Sequence, residues 1–279
     1  MKRKVKTKVK GFRTTDGAGV KLVRVLGNLT TKEFDPILML DSFDSINPDD
    51  YTAGFPMHPH RGVETISYVS RGKMVHRDSL GNEAGISDGE VQWMNSGSGI
   101  MHEEMVPAAE RLLGVQLWLN LPAKDKMSKP SYNSIKNEDI KEIEIEGGKI
   151  RLLAGKYGEH EGYKGDYLSM DYYDIHLNAD AEVTLTMEED DSVMVFTLLG
   201  DVYIDGEHIE EKTAVKLTEG DSLTIKNGNE KAQVLYMNSR ALNEPVAWAG
   251  PIVMNTQEEL QKAFLELRSN TFIKETAEY

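Results

Sequence analysis

Short period-two segments, each closed by a turn dipeptide, run through most of this 279-residue chain and constrain its fold more than any other feature. Val20-Lys-Leu-Val-Arg-Val-Leu26, Thr65-Ile-Ser-Tyr-Val69, Ala181-Glu-Val-Thr-Leu-Thr-Met187 and Ser222-Leu-Thr-Ile225 send alternate side chains to opposite faces, as half-buried strands do. Turn signals such as Asp16-Gly17, Asp88-Gly89, Gly147-Gly148, Asp205-Gly206 and Asn227-Gly228 separate them. Spacing this regular predicts antiparallel sandwiches or barrels, not βαβ units. One helix is expected, near the end. Thr256-Gln-Glu-Glu259 is a capping box, and Leu260, Ala263, Phe264 and Leu267 follow at helical spacing.

The two halves resemble each other. Strand, turn, strand recurs around Arg71-Gly72 and around Leu199-Gly200, and again before Ser87-Asp-Gly89 and Thr218-Glu-Gly220. Gly72 and Gly200 are 128 apart, and Gly89 and Gly220 are 131 apart. Near-constant offsets predict two copies of one β-module. The polar, proline-flanked stretch from Pro122 to Gly148 is the expected connector, dividing the chain into domains 1–135 and 136–279, with the helix in the second.

Composition removes several function classes. There is no cysteine, so disulfides, thiolate zinc sites, iron–sulfur clusters and cysteine nucleophiles are excluded, and any metal must be held by His, Asp or Glu. A net charge of −14 repels phosphate backbones, so no direct nucleic-acid partner is expected. No apolar run approaches the ~18 residues of a membrane span, and no apolar core follows the basic start, so a cytoplasmic chain is expected, or a nuclear one if the source is eukaryotic. The lysines of MKRKVKTKVK alternate with Val5, Thr7 and Val9, the pattern of a charged edge strand.

Three of the seven histidines fall in two unusual segments, Phe55-Pro-Met-His58-Pro-His60-Arg-Gly-Val-Glu64 and Gly97-Ser-Gly-Ile-Met-His102-Glu-Glu104. Residues two apart in a strand face the same way, so His58 pairs with His60 and His102 with Glu104. Brought together inside a barrel, they make a three-nitrogen, one-carboxylate site suited to Fe(II), Mn, Ni, Zn, Cu or Co. His160 and His208 fit solvated loops, His176 a strand surface, and His76 at most the barrel lining. Trp93, Trp118 and Trp248 fit core or interface positions.

Gly54-x₃-His58-x-His60-x₃-Glu64-x₇-Gly72 resembles the first cupin motif, and Gly99-x₂-His102 the core of the second. More closely, His58-Pro-His60-Arg-Gly-Val-Glu-Thr65, Asp78-Ser-Leu-Gly-Asn82, Val91-Gln-Trp-Met-Asn-Ser-Gly-Ser-Gly-Ile100 and His102-Glu-Glu104-Met105 resemble the pirin family. The resemblance reaches Asp35-Pro-Ile-Leu-Met-Leu-Asp41 and Gly250-Pro-Ile-Val-Met-Asn-Thr256, and so covers nearly the whole chain. It implies an all-β bicupin: two tandem antiparallel β-barrel, jelly-roll-like domains with a C-terminal helix.

The resemblance also implies iron, with ligands on His58, His60, His102 and Glu104; general cupins would instead take their carboxylate from Glu64. Applying the repeat offsets, His58, His60 and Glu64 fall on Thr186, Glu188 and Ser192, and His102 and Glu104 on Gln233 and Leu235. That set holds one carboxylate and no imidazole, so the C-terminal domain is expected to lack a metal site. Some pirins act on flavonols as quercetin 2,3-dioxygenases, which implies a small aromatic substrate and O2, with Glu104 as general base. The alternative is a non-enzymatic, iron-dependent regulator that binds a transcription factor or a metabolic enzyme. For the enzyme, a mostly apolar pocket is expected, with Met57, Met74 and Met101 as candidate walls.

Overall fold

The computed structural model describes residues 1–275. The alternation read from sequence becomes strands Val20–Leu26, Val63–Arg71, Glu182–Thr186 and Ser222–Asn227. The chain forms two compact units. The first is built from residues 13–31, 37–136 and 242 onward, the second from residues 1–12, 32–36 and 137–241.

Each unit is a double sheet, seven strands and four strands, rather than one closed barrel. In the first unit the large sheet runs Ser131–Ile135, Glu90–Asn95, Val63–Arg71, Leu112–Asn120, Ile37–Ser45, Val20–Leu26, Phe12–Asp16. Its small sheet runs Phe55–His60, Ile100–Met105, Lys73–Asp78, Glu83–Ser87. In the second unit the large sheet runs Val5–Lys10, Thr213–Leu217, Ser192–Leu199, Ala232–Ser239, Met170–Leu177, Gly148–Ala154, Lys141–Ile145. Its small sheet runs Glu182–Thr186, Ser222–Asn227, Val202–Ile204, Glu207–Ile209. Every strand of these two sheets in one unit thus has a counterpart at the same place in the other. The repeat is real.

One of the expected repeat pairs is corrected. Gly72 and Gly200 both precede the small-sheet hairpin, but Gly220 corresponds to Gly99, not Gly89, because both lead into the central strand of the small sheet. The hairpin covers residues 73–87 in the first unit and 202–209 in the second, seven fewer. The offset falls by the same seven, from 128 at Gly72/Gly200 to 121 at Gly99/Gly220.

Both ends of the chain depart from the linear domain division. Val5–Lys10 pairs with Thr213–Leu217 as an edge strand of the second unit, its lysines paired with carboxylates: Lys6–Glu33 at 3.0 Å, Lys8–Glu207 at 2.5 Å, and Lys10 with Glu210. The helix Gln257–Arg268 belongs to the first unit, not the second. Its capping box forms as expected, Thr256 Oγ1 accepting from the Glu259 amide at 3.2 Å. Leu260 and Ala263 pack with Ala247, Ile252, Met254 and Phe272. Periodicity finds the apolar face of a helix but not the sheet that covers it.

The second unit's core is an extended apolar cluster, from Ile150, Val195 and Tyr236 on the large sheet to Val183, Leu185, Leu223 and Ile225 on the small one. The first unit's interior is partly apolar (Val69, Met74, Ile86, Leu112) and partly something else.

Candidate metal centre

That other part begins on the small sheet. Ile100–Met105 lies between Phe55–His60 and Lys73–Asp78, with His102 opposite His58 on one side and opposite Asp78 on the other. The turn delivering this strand needs a left-handed residue at Gly97 (φ +39°), where a Cβ would sit 2.1 Å from the Ser128 carbonyl oxygen. Alternation then sends Ile100, His102 and Glu104 inward, all buried, and leaves Glu103 on the other face.

Three ring nitrogens converge. His58 Nε2 stands 3.1 Å from His60 Nε2 and 3.0 Å from His102 Nε2. The far nitrogens say which protons are present. His58 Nδ1 donates to the Pro56 carbonyl at 2.8 Å and His60 Nδ1 to the Pro251 carbonyl at 3.1 Å. A neutral imidazole carries one N–H, so both Nε2 atoms are bare lone pairs aimed at each other. Burial, and after it the neighbouring His58 imidazole, pulls the His60 pKa down to about 3. His102 is likewise pushed well below its ordinary value by burial and then by its neighbouring imidazoles. Buried lone pairs held this close call for a shared cation. Two nitrogens each about 2.0–2.1 Å from one ion, about a right angle apart, stand about 2.9 Å from each other. The observed spacings fit a divalent metal.

Glu104 is buried against the same interior but outside this nitrogen cluster. Its carboxylate accepts from Gln116 Nε2 at 3.1 Å (Oε1) and 2.9 Å (Oε2), and Oε1 also from Gln92 Nε2. These use three of the roughly four lone-pair sites of a carboxylate and leave one for a metal or a proton. Both clamping amides come from the large sheet. Gln92, Ser67, Gln116, Asp41 and Arg24 are cross-strand neighbours in one row across five strands.

Glu64 lies on the other side of that sheet. It is one residue from Thr65 on the strand that sends Ser67 to the Gln92 and Gln116 amides, and its carboxylate accepts from Trp93 Nε1 at 3.0 Å. Strand alternation therefore turns it away from the histidines, whereas Glu104, two residues from His102 on a strand whose alternation is unbroken, faces them.

A cavity of about 520 Å³ opens onto His58, His60 and Glu104. Its walls are not the methionines expected from sequence: Met57 is half exposed, and Met74 lies in the core. Met39, Phe55, Trp118 and Trp248 line one side instead. The Trp118 ring meets the His60 ring edge-on, centroids 5.0 Å apart. The lining is mixed: beyond the histidines and Glu104 it also holds Asp16, Arg24, Asn28, Asp41 and Gln116. Asp41 and Arg24 form a bidentate pair at 2.9 and 2.7 Å, and Arg24 also reaches Asp16 at 2.6 Å. Burial raises the Asp41 pKa against the opposing pull of Arg24. No motif marks these residues; sheet register alone assembles them.

The second unit shows what becomes of the same positions there. The strand matching Ile100–Met105 is Ser222–Asn227, so the expected correspondence of His102 with Gln233 and Glu104 with Leu235 is corrected. The matching inward side chains are Leu223 and Ile225, facing Leu185 and Val183 across the pair. Aliphatic packing occupies the place of the imidazoles. Among the other histidines, His208 pairs with Asp201 at 2.8 Å at the surface, and His176 with Asp174 at 2.7 Å. His76 is the exception. It is fully buried beside His102.

Comparison with known proteins agrees with this architecture. The Pirin family model matches residues 19–119, and the Pirin C-terminal cupin domain model matches residues 172–273. The chain belongs to the pirin family. Among its relatives, a Pseudomonas aeruginosa protein named "Putative quercetin 2,3-dioxygenase" is 39% identical over 268 residues, 92% of this chain and 94% of that one. Human pirin is 35% identical over 277 residues, 96% of this chain and 93% of its own. The crystal structure of an Acinetobacter baumannii quercetin 2,3-dioxygenase matches with a TM-score of 0.89 at 30% identity, covering 98% of this pirin and 99% of that chain. No helix of the described residues is long and apolar enough to cross a membrane.

Proposed function

We propose that this pirin holds one divalent metal, Fe(II), in its first unit on His58, His60, His102 and Glu104, and that it opens flavonols of the quercetin type with O2. The observation that carries the reading is the convergence of three imidazole Nε2 atoms, 3.0 and 3.1 Å apart, of which His58 and His60 line a cavity of about 520 Å³. That volume lies within the usual range for small-molecule sites. A metal held there by His58, His60, His102 and Glu104 would supply a Lewis acid for the 3-hydroxyl of a flavonol and a site for O2.

The protein's own groups divide the rest of the work. Glu104, with its one remaining lone-pair site, takes the hydroxyl proton; ligation and proton transfer at this carboxylate then alternate. Gln92 and Gln116 hold it in place from the opposite sheet. Trp118 and Trp248, ring centroids 5.5 Å apart, offer aromatic surface for a flat substrate. Arg24 and Asp41 supply donors and acceptors for its hydroxylated edge.

The competing reading is an iron-dependent regulator that binds another protein. The charge of −14 favours a basic partner for it. One experiment separates the two. Metal content is measured, the loaded protein is titrated with quercetin without oxygen, and O2 is then admitted. A metal-dependent burst of carbon monoxide is expected. Loaded protein that neither shifts quercetin's absorption nor consumes O2 would overturn the enzyme reading and leave the regulatory one.

A further inference from the structure

The Asp78-Ser-Leu-Gly-Asn82 segment and the buried His76 take no part in the function described above, yet they end at a metal-site histidine. His76 Nε2 donates to Asp78 Oδ2 at 2.8 Å, both side chains inaccessible to solvent. His76 Nδ1 lies 3.3 Å from His102 Nδ1. We propose that His76 and Asp78 are positioning residues that fix the tautomer of His102, so that its Nε2 faces the cluster as a bare, strengthened donor. The inference rests on the reading that the three histidines hold a metal.

The argument is a proton count. Asp78 is itself pinned, Oδ1 accepting from the Leu80 amide at 2.9 Å and the Asn82 amide at 3.1 Å, and Oδ2 from Asn82 Nδ2 at 2.9 Å. This carboxylate takes the one N–H of a neutral His76 at Nε2, leaving His76 Nδ1 an acceptor. Only a protonated His102 Nδ1 makes that contact a hydrogen bond, and the bond leaves His102 Nε2 bare. The plane of the His76 ring is held by stacking on Tyr132, with centroids 4.0 Å apart and planes within 14°. The three ligands are therefore unequal. His58 and His60 back onto neutral backbone carbonyls. His102 backs onto an anion relayed through a second imidazole, which raises its basicity as carboxylate partners of metal-bound histidines do.

The test has two arms. In the metal-free protein, long-range proton–nitrogen NMR should show His102 as the Nδ1–H tautomer and His76 as the Nε2–H tautomer. A His102 protonated at Nε2 would overturn the proposal, whether or not any metal binds. In the second arm, Zn(II) affinity is measured by competition with a chromophoric chelator. Asp78→Asn and His76→Leu should weaken it about 10–100-fold. His76→Gln, whose amide oxygen can still accept from His102 Nδ1, should recover part of the loss and keep the tautomer; a packing role alone would give no such rescue. Asp78→Asn that folds and binds Zn(II) within about twofold of the parent would refute the relay. Failure of the parent itself to bind Zn(II) would instead sink the metal-site reading.

Discussion

Lys126 is nearly inaccessible, and its ammonium donates to the Gly62 carbonyl at 2.7 Å and to Asn120 Oδ1, directly behind the His60-Arg61 segment. Burial pulls its pKa from 10.5 down to about 7, with Glu244 and Glu259 opposing only in part. The sign follows from proton binding. Between pH 7 and 10.5 the unfolded chain holds this proton and the folded one does not, so stability rises with pH across that window. At about 1.4 kcal/mol per pH unit, the full gap is worth on the order of 5 kcal/mol. Lys126→Met removes the titrating group and leaves two acceptors unpartnered, at roughly 1–3 kcal/mol each. The two effects oppose each other near neutrality, so the diagnostic is the slope against pH, not the value at one pH. All three tryptophans (Trp93, Trp118, Trp248) lie in the first unit, so urea denaturation followed by their fluorescence reports the unit that carries Lys126. Free energies at pH 7, 8, 9 and 10 should show the parent gaining on Lys126→Met by several kcal/mol in total. Parallel pH profiles for the two proteins would refute the reasoning.

At the proposed metal centre, His58→Ala should abolish stoichiometric metal by elemental analysis while leaving the metal-free melting temperature almost unchanged, since His58 is only half-buried. Glu104→Gln should weaken metal binding about 10–100-fold, whereas Glu64→Gln, on the far side of its sheet, should change it less than about threefold; chelator competition gives the ranking, and the reverse order would put Glu64 in the shell. Gly97→Ala sets a Cβ 2.1 Å from a backbone oxygen at φ +39°, which should cost about 2–4 kcal/mol and lower the melting temperature by several degrees by circular dichroism. An unchanged melting temperature would mean that the turn before His102 is not strained by a side chain.

The alternation at 20–26, 63–71, 182–186 and 222–227 was legible because one sheet face is buried and the other is not, a local consequence of the residues themselves. For the same reason His58 and His60 could be read as sharing one strand face, and the capping box at Thr256 as a helix start. What the linear chain could not carry is which elements meet. The edge strand Val5–Lys10 and the helix Gln257–Arg268 each pack with the half of the chain far from them in sequence, because an apolar face names no partner. His76 looked ordinary until sheet register set it opposite Glu104, with its ring beside His102. The row from Gln92 to Arg24 exists only as cross-strand neighbours, drawn from positions 24 to 116 of the chain. In the repeat, a hairpin seven residues shorter moved every downstream equivalence, so that aligned glycines misled while strand order did not. Side-chain chemistry and its period are written in the sequence; register, loop length and the choice of covering sheet are settled only when distant segments pack, because the free energy that decides them is long-range burial.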